Sequence, residues 1–383
     1  MRLFLVAGEA SGDRLGAALM AGLKTLRDDV SFDGVGGPAM QAEGLESRFP
    51  MEELSVMGLA EVLPRYRHLK RRIAGTAEAV IDTGPDALIT IDSPDFAFRL
   101  ARAVRDGAPG VRTIHYVAPT VWAWRPGRAR KIAAFIDHVL ALFPFEPPYM
   151  EAAGMTCDFV GHPVVAEPLA SPAAVAAFRD AHAIGPDQPV ALCLPGSRRG
   201  EVTRLMPVFE DVLMQLRDRE PDLRVLLPTV RGVAGLVRSR TAKWPAPPVV
   251  LDADDDKRAA FAAATVALAA SGTVSLELAA NRVPMVIAYD MHWLSRAILS
   301  RMVRVDTVTL VNLVSETRAV PEFIGGNCRP APIARILSRL LDDEEARADQ
   351  VAAMDLTMQR LGRGGEPPGL RAARSVLAKL GAV

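Results

Sequence analysis

The 383-residue chain predicts an α/β protein built of two doubly wound, parallel-sheet halves. Three observations carry that expectation. Short, continuously apolar runs alternate with helix-period stretches, the mark of a parallel sheet covered on both faces. The length suits two domains at roughly 100–200 residues each. A Pro- and Ala-rich loop at 166–172, just after Gly161-His162-Pro163, supplies a seam.

In the first half, Arg2–Ala7, Ala87–Ile91, 111–117 and 138–143 read as strands, with helices at 14–27 and 97–105. In the second, Val190–Leu194, Arg224–Pro228, Val249–Leu251, Val266–Ala269 and 284–288 read as strands, with helices near 202–219 and 233–241. A break at 362–369 precedes a last helix at 370–380. The expected domains are 1–165 and 166–365.

Lys+Arg and Asp+Glu each number 45, so bulk charge gives no general attraction to nucleic acid. Cys157, Cys193 and Cys328 are far apart and lack metal or disulfide spacing, which fits a reducing compartment. No metal site is expected. The N-terminal apolar run is too short for a signal peptide and reads as a first strand. Residues 259–276 carry no charge, but Ser271-Gly272-Thr273 interrupts them, so no membrane span is predicted.

Ligands of open parallel sheets bind beyond the carboxyl ends of the strands, and four such ends hold unusual residues. The first is Gly8-Glu9-Ala10-Ser11-Gly12-Asp13. Its glycines permit close backbone approach, although the spacing is not that of a dinucleotide cofactor. Ser11 and Asp13 are equally readable as helix caps, and Glu9 suits sugar hydroxyls better than phosphate. The second is Asp92-Ser93-Pro94-Asp95, where a partly desolvated carboxylate on Asp92 makes a useful base. The competing reading makes Asp92 a turn residue and Asp95 a cap.

The third is Pro195-Gly196-Ser197-Arg198-Arg199-Gly200-Glu201, where amides, a hydroxyl and a guanidinium suit a diphosphate, against a solvated Arg pair. The fourth is Ser271-Gly272-Thr273, a second anion seat, with Glu277 one turn onward and able to reach a ribose. The acidic run 252–256 reads as a solvated turn.

Residues 56–73 differ in kind. On a helix, Leu59, Val62, Leu63, Tyr66, Leu69 and Ile73 share one face, while Arg65, Arg67, His68, Arg71 and Arg72 fan around the rest. Such a helix suits an anionic membrane interface; the alternative is a core-facing helix with a solvated basic back. Pro64 weakens the helix unless it lies in the first turn.

Taken together with Gly36-Gly37-Pro38, Met51-Glu52-Glu53-Leu54, His115-Tyr116-Val117-Ala118-Pro119-Thr120-Val121-Trp122-Ala123-Trp124-Arg125, Phe143-Pro144-Phe145-Glu146 and Asn312-Leu313, these motifs run in order across nearly the whole chain. In them the chain resembles the lipid-A-disaccharide synthase family, inverting glycosyltransferases of lipopolysaccharide synthesis. The resemblance implies a GT-B fold, two Rossmann-like domains facing across a cleft, with the helix at about 366–383 packed back on the first. It implies transfer of 2,3-diacylglucosamine from its UDP derivative to 2,3-diacylglucosamine 1-phosphate, giving a β-1,6-linked disaccharide 1-phosphate and UDP, without cofactor or metal. Ser197, Arg198, Ser271, Gly272, Thr273, Glu277 and Asn312 would hold UDP, and Asp92 and Glu9 would be catalytic. Gly8, Ser11, Gly12, Asp13, Trp122, Trp124 and Arg125 would line the acceptor side. A peripheral place on the cytoplasmic face of the inner membrane, and a homodimer, are compatible with it. The rival functions are another GT-B UDP-sugar transferase, a UDP-sugar epimerase, or a non-catalytic nucleotide-sugar sensor.

Overall fold

The computed structural model describes residues 1–54, 59–124, 127–252, 254–290 and 305–382, with the backbone alone for 59–65 and 254–255. The chain forms two compact units, Met1–Ala166 with Gly364–Val383, and Glu167–Arg363.

The first unit carries six parallel strands, β1 (Arg2–Ala7), β2 (Ser31–Val35), β3 (Ala87–Ile91), β4 (Arg112–Tyr116), β5 (His138–Ala141) and β6 (Thr156–Phe159), in the order β2-β1-β3-β4-β5-β6. Their helices are α1 (Ala10–Leu26), α2 (Pro38–Ala42), α3 (Leu59–Thr83), α4 (Pro94–Gly107), α5 (Gly127–Ile132) and α6 (Pro147–Glu151). All of β3 is buried, as a central strand covered on both faces requires. Its one polar side chain, Thr90, shares a hydrogen bond with His115 Nδ1 at 2.8 Å. Burial holds that imidazole neutral, with a pKa near 3. Ala7, Ile91, Tyr116 and Leu140 lie side by side, so β1, β3, β4 and β5 end close to level.

The second unit repeats the plan with α7 (Pro172–Ala181), β7 (Val190–Leu194), α8 (Arg199–Arg217), β8 (Arg224–Pro228), α9 (Arg231–Thr241), β9 (Val249–Leu251), α10 (Asp254–Ala263), β10 (Val266–Ala269) and α11 (Val274–Ala280). After these come β11 (Met285–Tyr289), α12 (Leu310–Ser315), β12 (Glu322–Ile324), α13 (Pro330–Asp342) and α14 (Glu344–Arg360). The strand order is β12-β11-β10-β7-β8-β9. One core runs from β7, β8 and β10 into α8 and α13, with Phe209, Leu205 and Ile333 fully buried. Among the described residues no helix is long and apolar enough to cross a membrane.

The last helix, α15 (Pro368–Lys379), lies on α1 in the first unit. Contact is backbone-close: a Cβ on Gly369 would stand 2.4 Å from the Ala18 carbonyl oxygen, and one on Gly22 would stand 2.7 Å from that of Gly369. Polar bonds fix the far side. Ser375 Oγ donates to Asp158 Oδ2 at 2.6 Å and meets His138 Nε2 at 2.8 Å, while Arg371 donates to the Phe159 carbonyl at 2.7 Å.

Because backbone cannot withdraw as a side chain can, Gly369→Ala is expected to cost about 1–3 kcal/mol in urea unfolding. Gly232→Ala, in α9 with open space around its Cβ position, is expected to be neutral or to gain up to about 1 kcal/mol. Equal effects at the two positions would show that α15 is not packed this tightly.

Candidate active site

From β1 the chain crosses to β2 on one side, then returns to β3 on the other. Turns leaving β1 and β3 therefore part company and open a crevice beyond the strand ends. The two turns touch: a Cβ on Gly8 would lie 2.5 Å from Ser93 Oγ, so glycine is required there. A Cβ on Gly12 would stand 3.3 Å from the Ile91 carbonyl oxygen of β3, a tight but less severe approach. Glu9 is the half-buried N-cap of α1, with extended backbone (φ −147°). Ser11, exposed in the first turn, donates its hydroxyl to the Asp92 carboxylate.

Asp92, Ser93 and Val117 have φ of 53°, 44° and 85°, a left-handed region that costs non-glycine residues about 1–3 kcal/mol each. For a β-branched valine this is a pronounced outlier. The cause is visible in the ladder. Asp92 N–H still donates to the Tyr116 carbonyl (2.9 Å) and Val117 N–H to that of Leu140 (3.0 Å), while the chain already bends away. Ser93 Oγ and Tyr116 OH are buried here without a partner among the described residues. Burial pushes the Asp92 carboxyl above the usual carboxylate range, against the opposing pull of the Ser93 N–H and the Ser11 hydroxyl. A carboxylate so placed takes up a proton more readily than one in water.

Other residues of this unit have structural surroundings. Asp13 is buried, and its carboxylate accepts from the N–H groups of Gly37 (2.8 Å), Ala39 (2.9 Å) and Met40 (3.0 Å), capping α2. Trp122 is buried edge-on against Phe145, and its Nε1 donates to Glu146 Oε1 at 3.2 Å. Glu146 Oε2 accepts from Leu142 N–H (3.1 Å) and Phe143 N–H (3.0 Å). The same carboxyl thus ties the 119–124 loop to the end of β5. Half-buried Trp124 donates to Thr120 Oγ1 at 3.2 Å; Arg125 lies outside the described residues.

In the second unit the chain diverges between β7 and β10, and a pocket of about 400 Å³ lies at their carboxyl ends. Ser197, Arg198, Ser271, Gly272, Thr273 and Glu277 all line it. Gly196 (φ 104°) leaves no room for a side chain, since a Cβ would fall 2.6 Å from Glu201 Oε2. That carboxylate accepts from the Arg198 N–H (3.2 Å) and pairs with its guanidinium (3.0 Å), at the start of α8. Gly272 (φ 149°) has open space where a Cβ would be. Ser271 Oγ donates to the Val308 carbonyl at 3.3 Å.

Asn312 does not line this pocket. Its amide accepts from the Val320 N–H (3.0 Å) and donates to the Val320 carbonyl (2.9 Å) and to the hydroxyl of Thr307 (3.3 Å), the residue before Val308. The family model for lipid-A-disaccharide synthetase matches residues 3–366 of the chain. The chain belongs to the lipid-A-disaccharide synthetase family.

A lipid-A-disaccharide synthase from Ruegeria pomeroyi is 63% identical over 388 residues, covering 99% of this chain and 96% of that one. Another from Rhodospirillum centenum is 51% identical over 376 residues, covering 98% and 94%. Among solved structures, S. aureus MnaA with UDP matches with TM-score 0.69 at 14% identity, covering 100% of this chain and 97% of that one. The Neisseria meningitidis UDP-GlcNAc 2-epimerase bound to UDP-GlcNAc matches with TM-score 0.67 at 12% identity, covering 99% of each. At such identities the likeness shows the fold, which is GT-B. The family match makes the chain a glycosyltransferase and separates it from epimerases of the same fold.

Sequence reasoning did not single out Lys257, which lines the pocket and pairs with Glu277 at 2.6 Å. It lay just beyond an acidic run and was hidden by it. Thr229 and Val230, at the end of β8, also line the pocket and lack any marker in composition. Val117 was visible only as part of a motif, since its strain is a backbone property.

On α3 the described basic side chains divide. Arg72 makes a two-pronged pair with Glu53 (2.7 and 2.8 Å) and covers the Phe49 ring, and His68 meets the same carboxylate at 2.6 Å. Arg67, Lys70 and Arg71 are exposed, as is Tyr66, while Leu69 and Ile73 are half-buried. The side chains of Leu59, Val62, Leu63 and Arg65 lie outside the described residues. The helix continues through Pro64.

Desolvation raises Glu146 to a pKa of about 8, well above its unfolded value. The folded state then binds the extra proton between the two values. Stability from this group is complete below the unfolded value and is lost as pH rises through about 8, at up to about 1.4 kcal/mol per pH unit. Urea titrations of Glu146→Gln should lack that decline; an unaltered pH dependence would contradict the burial argument.

Proposed function

We propose that the chain transfers 2,3-diacylglucosamine from its UDP derivative to 2,3-diacylglucosamine 1-phosphate, forming a β-1,6-linked disaccharide 1-phosphate and UDP. The family supplies the reaction, and the observation that carries it to these residues is the β7/β10 pocket. There Arg198, the amide-rich turn at Gly196–Ser197 and the Ser271–Thr273 turn converge. A diphosphate suits such a seat because backbone N–H groups and a guanidinium bind its oxygens without reorganising.

The acceptor hydroxyl attacks the anomeric carbon from the face opposite UDP. Its O–H proton passes to the Asp92 carboxylate as the new C–O bond forms. The bond from the anomeric carbon to the diphosphate oxygen breaks, and its electron pair leaves with UDP. Displacement from the opposite face inverts the anomeric centre. Arg198 and the turn amides take the charge of the leaving group, a role that requires no metal ion. Ser11 orients Asp92 through its hydroxyl, and Glu9, two residues earlier at the N-cap of α1, meets acceptor hydroxyls. Asn312 acts at one remove, through the loop it anchors.

Both substrates carry acyl chains, so the enzyme works at a membrane surface. The exposed Tyr66, Arg67, Lys70 and Arg71 on α3 supply an amphipathic contact for an anionic leaflet.

Asp92→Asn is expected to lower kcat by about 10²–10⁴-fold while leaving the Kd for UDP nearly unchanged. In the wild type, kcat/KM should rise with pH along a limb centred above the ordinary aspartate value, because the base must be ionised. A comparable loss of UDP affinity would remove Asp92 from the role of base. Arg198→Ala should reverse the pattern, weakening UDP; unchanged affinity would place the diphosphate elsewhere.

Replacing Arg67, Lys70 and Arg71 together by glutamine should weaken binding to phosphatidylserine-containing vesicles roughly a hundredfold, since each basic group near such a surface contributes about 1 kcal/mol. Undiminished sedimentation with the vesicles would put the interface on another surface.

A further inference from the structure

We infer that Lys257 is a specificity-determining residue of the donor pocket, reading the ribose diol of the nucleotide together with Glu277; this rests on the proposal that the pocket holds a uridine diphosphate. Lys257 stands on α10 and Glu277 on α11, and their charged groups meet at 2.6 Å on the pocket wall. The ammonium also lies 5.4 Å from the ring centre of buried Phe261, one helical turn on. Two contacts from two elements therefore hold it in place before any ligand arrives. Side-chain exposures of 38% for Lys257 and 31% for Glu277 leave both within reach of a ligand.

The chemistry of the pair matches a vicinal diol. A carboxylate has about four lone-pair sites and an ammonium three donors, so their mutual bond leaves acceptor and donor capacity side by side. One diol hydroxyl can donate to Glu277 while the neighbouring oxygen accepts from Lys257. A lone carboxylate this near a diphosphate seat would repel the ligand; the ammonium cancels that charge. Pro228, Thr229 and Val230 form a further part of the wall, suited to the flat base.

Calorimetric Kd values for UDP and 2′-deoxy-UDP test this in the wild type, Lys257→Met, Lys257→Arg, Glu277→Gln and the Lys257→Met/Glu277→Gln double variant. The wild type should prefer UDP by roughly tenfold or more, the scale of a hydrogen bond to a charged group. Lys257→Met and Glu277→Gln should each bring the preference close to unity, the double variant should lose no more than either, and Lys257→Arg should keep part of it. If Lys257 only braces α10 against α11, Lys257→Met weakens both nucleotides alike and keeps the ratio, which overturns the inference. Wild-type binding of UDP without preference over the deoxy form also overturns it, and leaves the donor site standing. Absence of UDP binding by the wild type removes the donor assignment itself, and this inference with it.

Discussion

In a parallel sheet every helix must depart from the carboxyl end of a strand, and in each sheet here one pair of neighbouring strands sends the chain in opposite directions. Backbone groups at those ends have no sheet partner beyond them, so the turns can present amides and side chains to a ligand. In the first unit this happens between β1 and β3, and in the second between β7 and β10. Gly8 against Ser93, and Gly196 against Glu201, are the close approaches that hold these turns in shape. The left-handed backbone at Asp92, Ser93 and Val117 follows from the same constraint, because the ladder bonds persist while the chain turns out. Such strain persists only where surrounding packing over-determines it, and fully buried β3 and Tyr116 provide that packing.

The two proposed sites have opposite electrostatic requirements, which their surroundings meet separately. A base is useful when its carboxylate is partly desolvated, and Asp92 sits in a crevice where burial outweighs two hydrogen bonds. A diphosphate seat needs fixed positive ends, and Arg198 is well exposed but aimed by Glu201 from within its own first turn. Glu201 thus does for the arginine what Ser11 does for the aspartate. Neither orienting group needs to touch substrate to matter, since a misdirected guanidinium or carboxylate loses the preorganisation that gives it its effect.

Strands made wholly of apolar residues, such as β3 and β7, were legible in the sequence because two-sided burial leaves no other composition possible. The glycine turns after β1 and β7 were legible for a related reason, since close approach excludes side chains, and the one after β10 because the φ of 149° at Gly272 favours glycine. Short edge strands were not: β2, β6 and β12 contain Asp33, Asp158 and Glu322, which edge positions tolerate and periodicity therefore misses. The start of α1 at Ala10 rather than near residue 14 was hidden by the glycines of the turn, which depress helix propensity although the first turn of α1 includes Gly12. Individual residue roles were harder still. Asp13 was readable equally as a cleft residue and as a cap of its own helix; that its carboxylate caps α2 was not readable, because capping a helix distant in sequence leaves no local signature. Lys257 gained meaning only once folding brought it to Glu277.

The same distinction between pattern and contact applies to α3. Its amphipathic pattern alone would assign every basic residue to one outward-facing array. The structure instead commits Arg72 and His68 to Glu53, in the short turn that follows β2, α2 and Phe49. That shared carboxylate, held well ionised by the Arg72 guanidinium, fixes one side of the helix to the body of the unit. Arg67, Lys70 and Arg71 are then left pointing to solvent beside exposed Tyr66. A helix pinned along one side presents its remaining charges as a fixed surface, and a fixed basic surface with an aromatic at its edge meets a leaflet without first having to order itself. Glu53 therefore links the fold to the proposed membrane contact: it sets which cations serve packing and which are available to lipid.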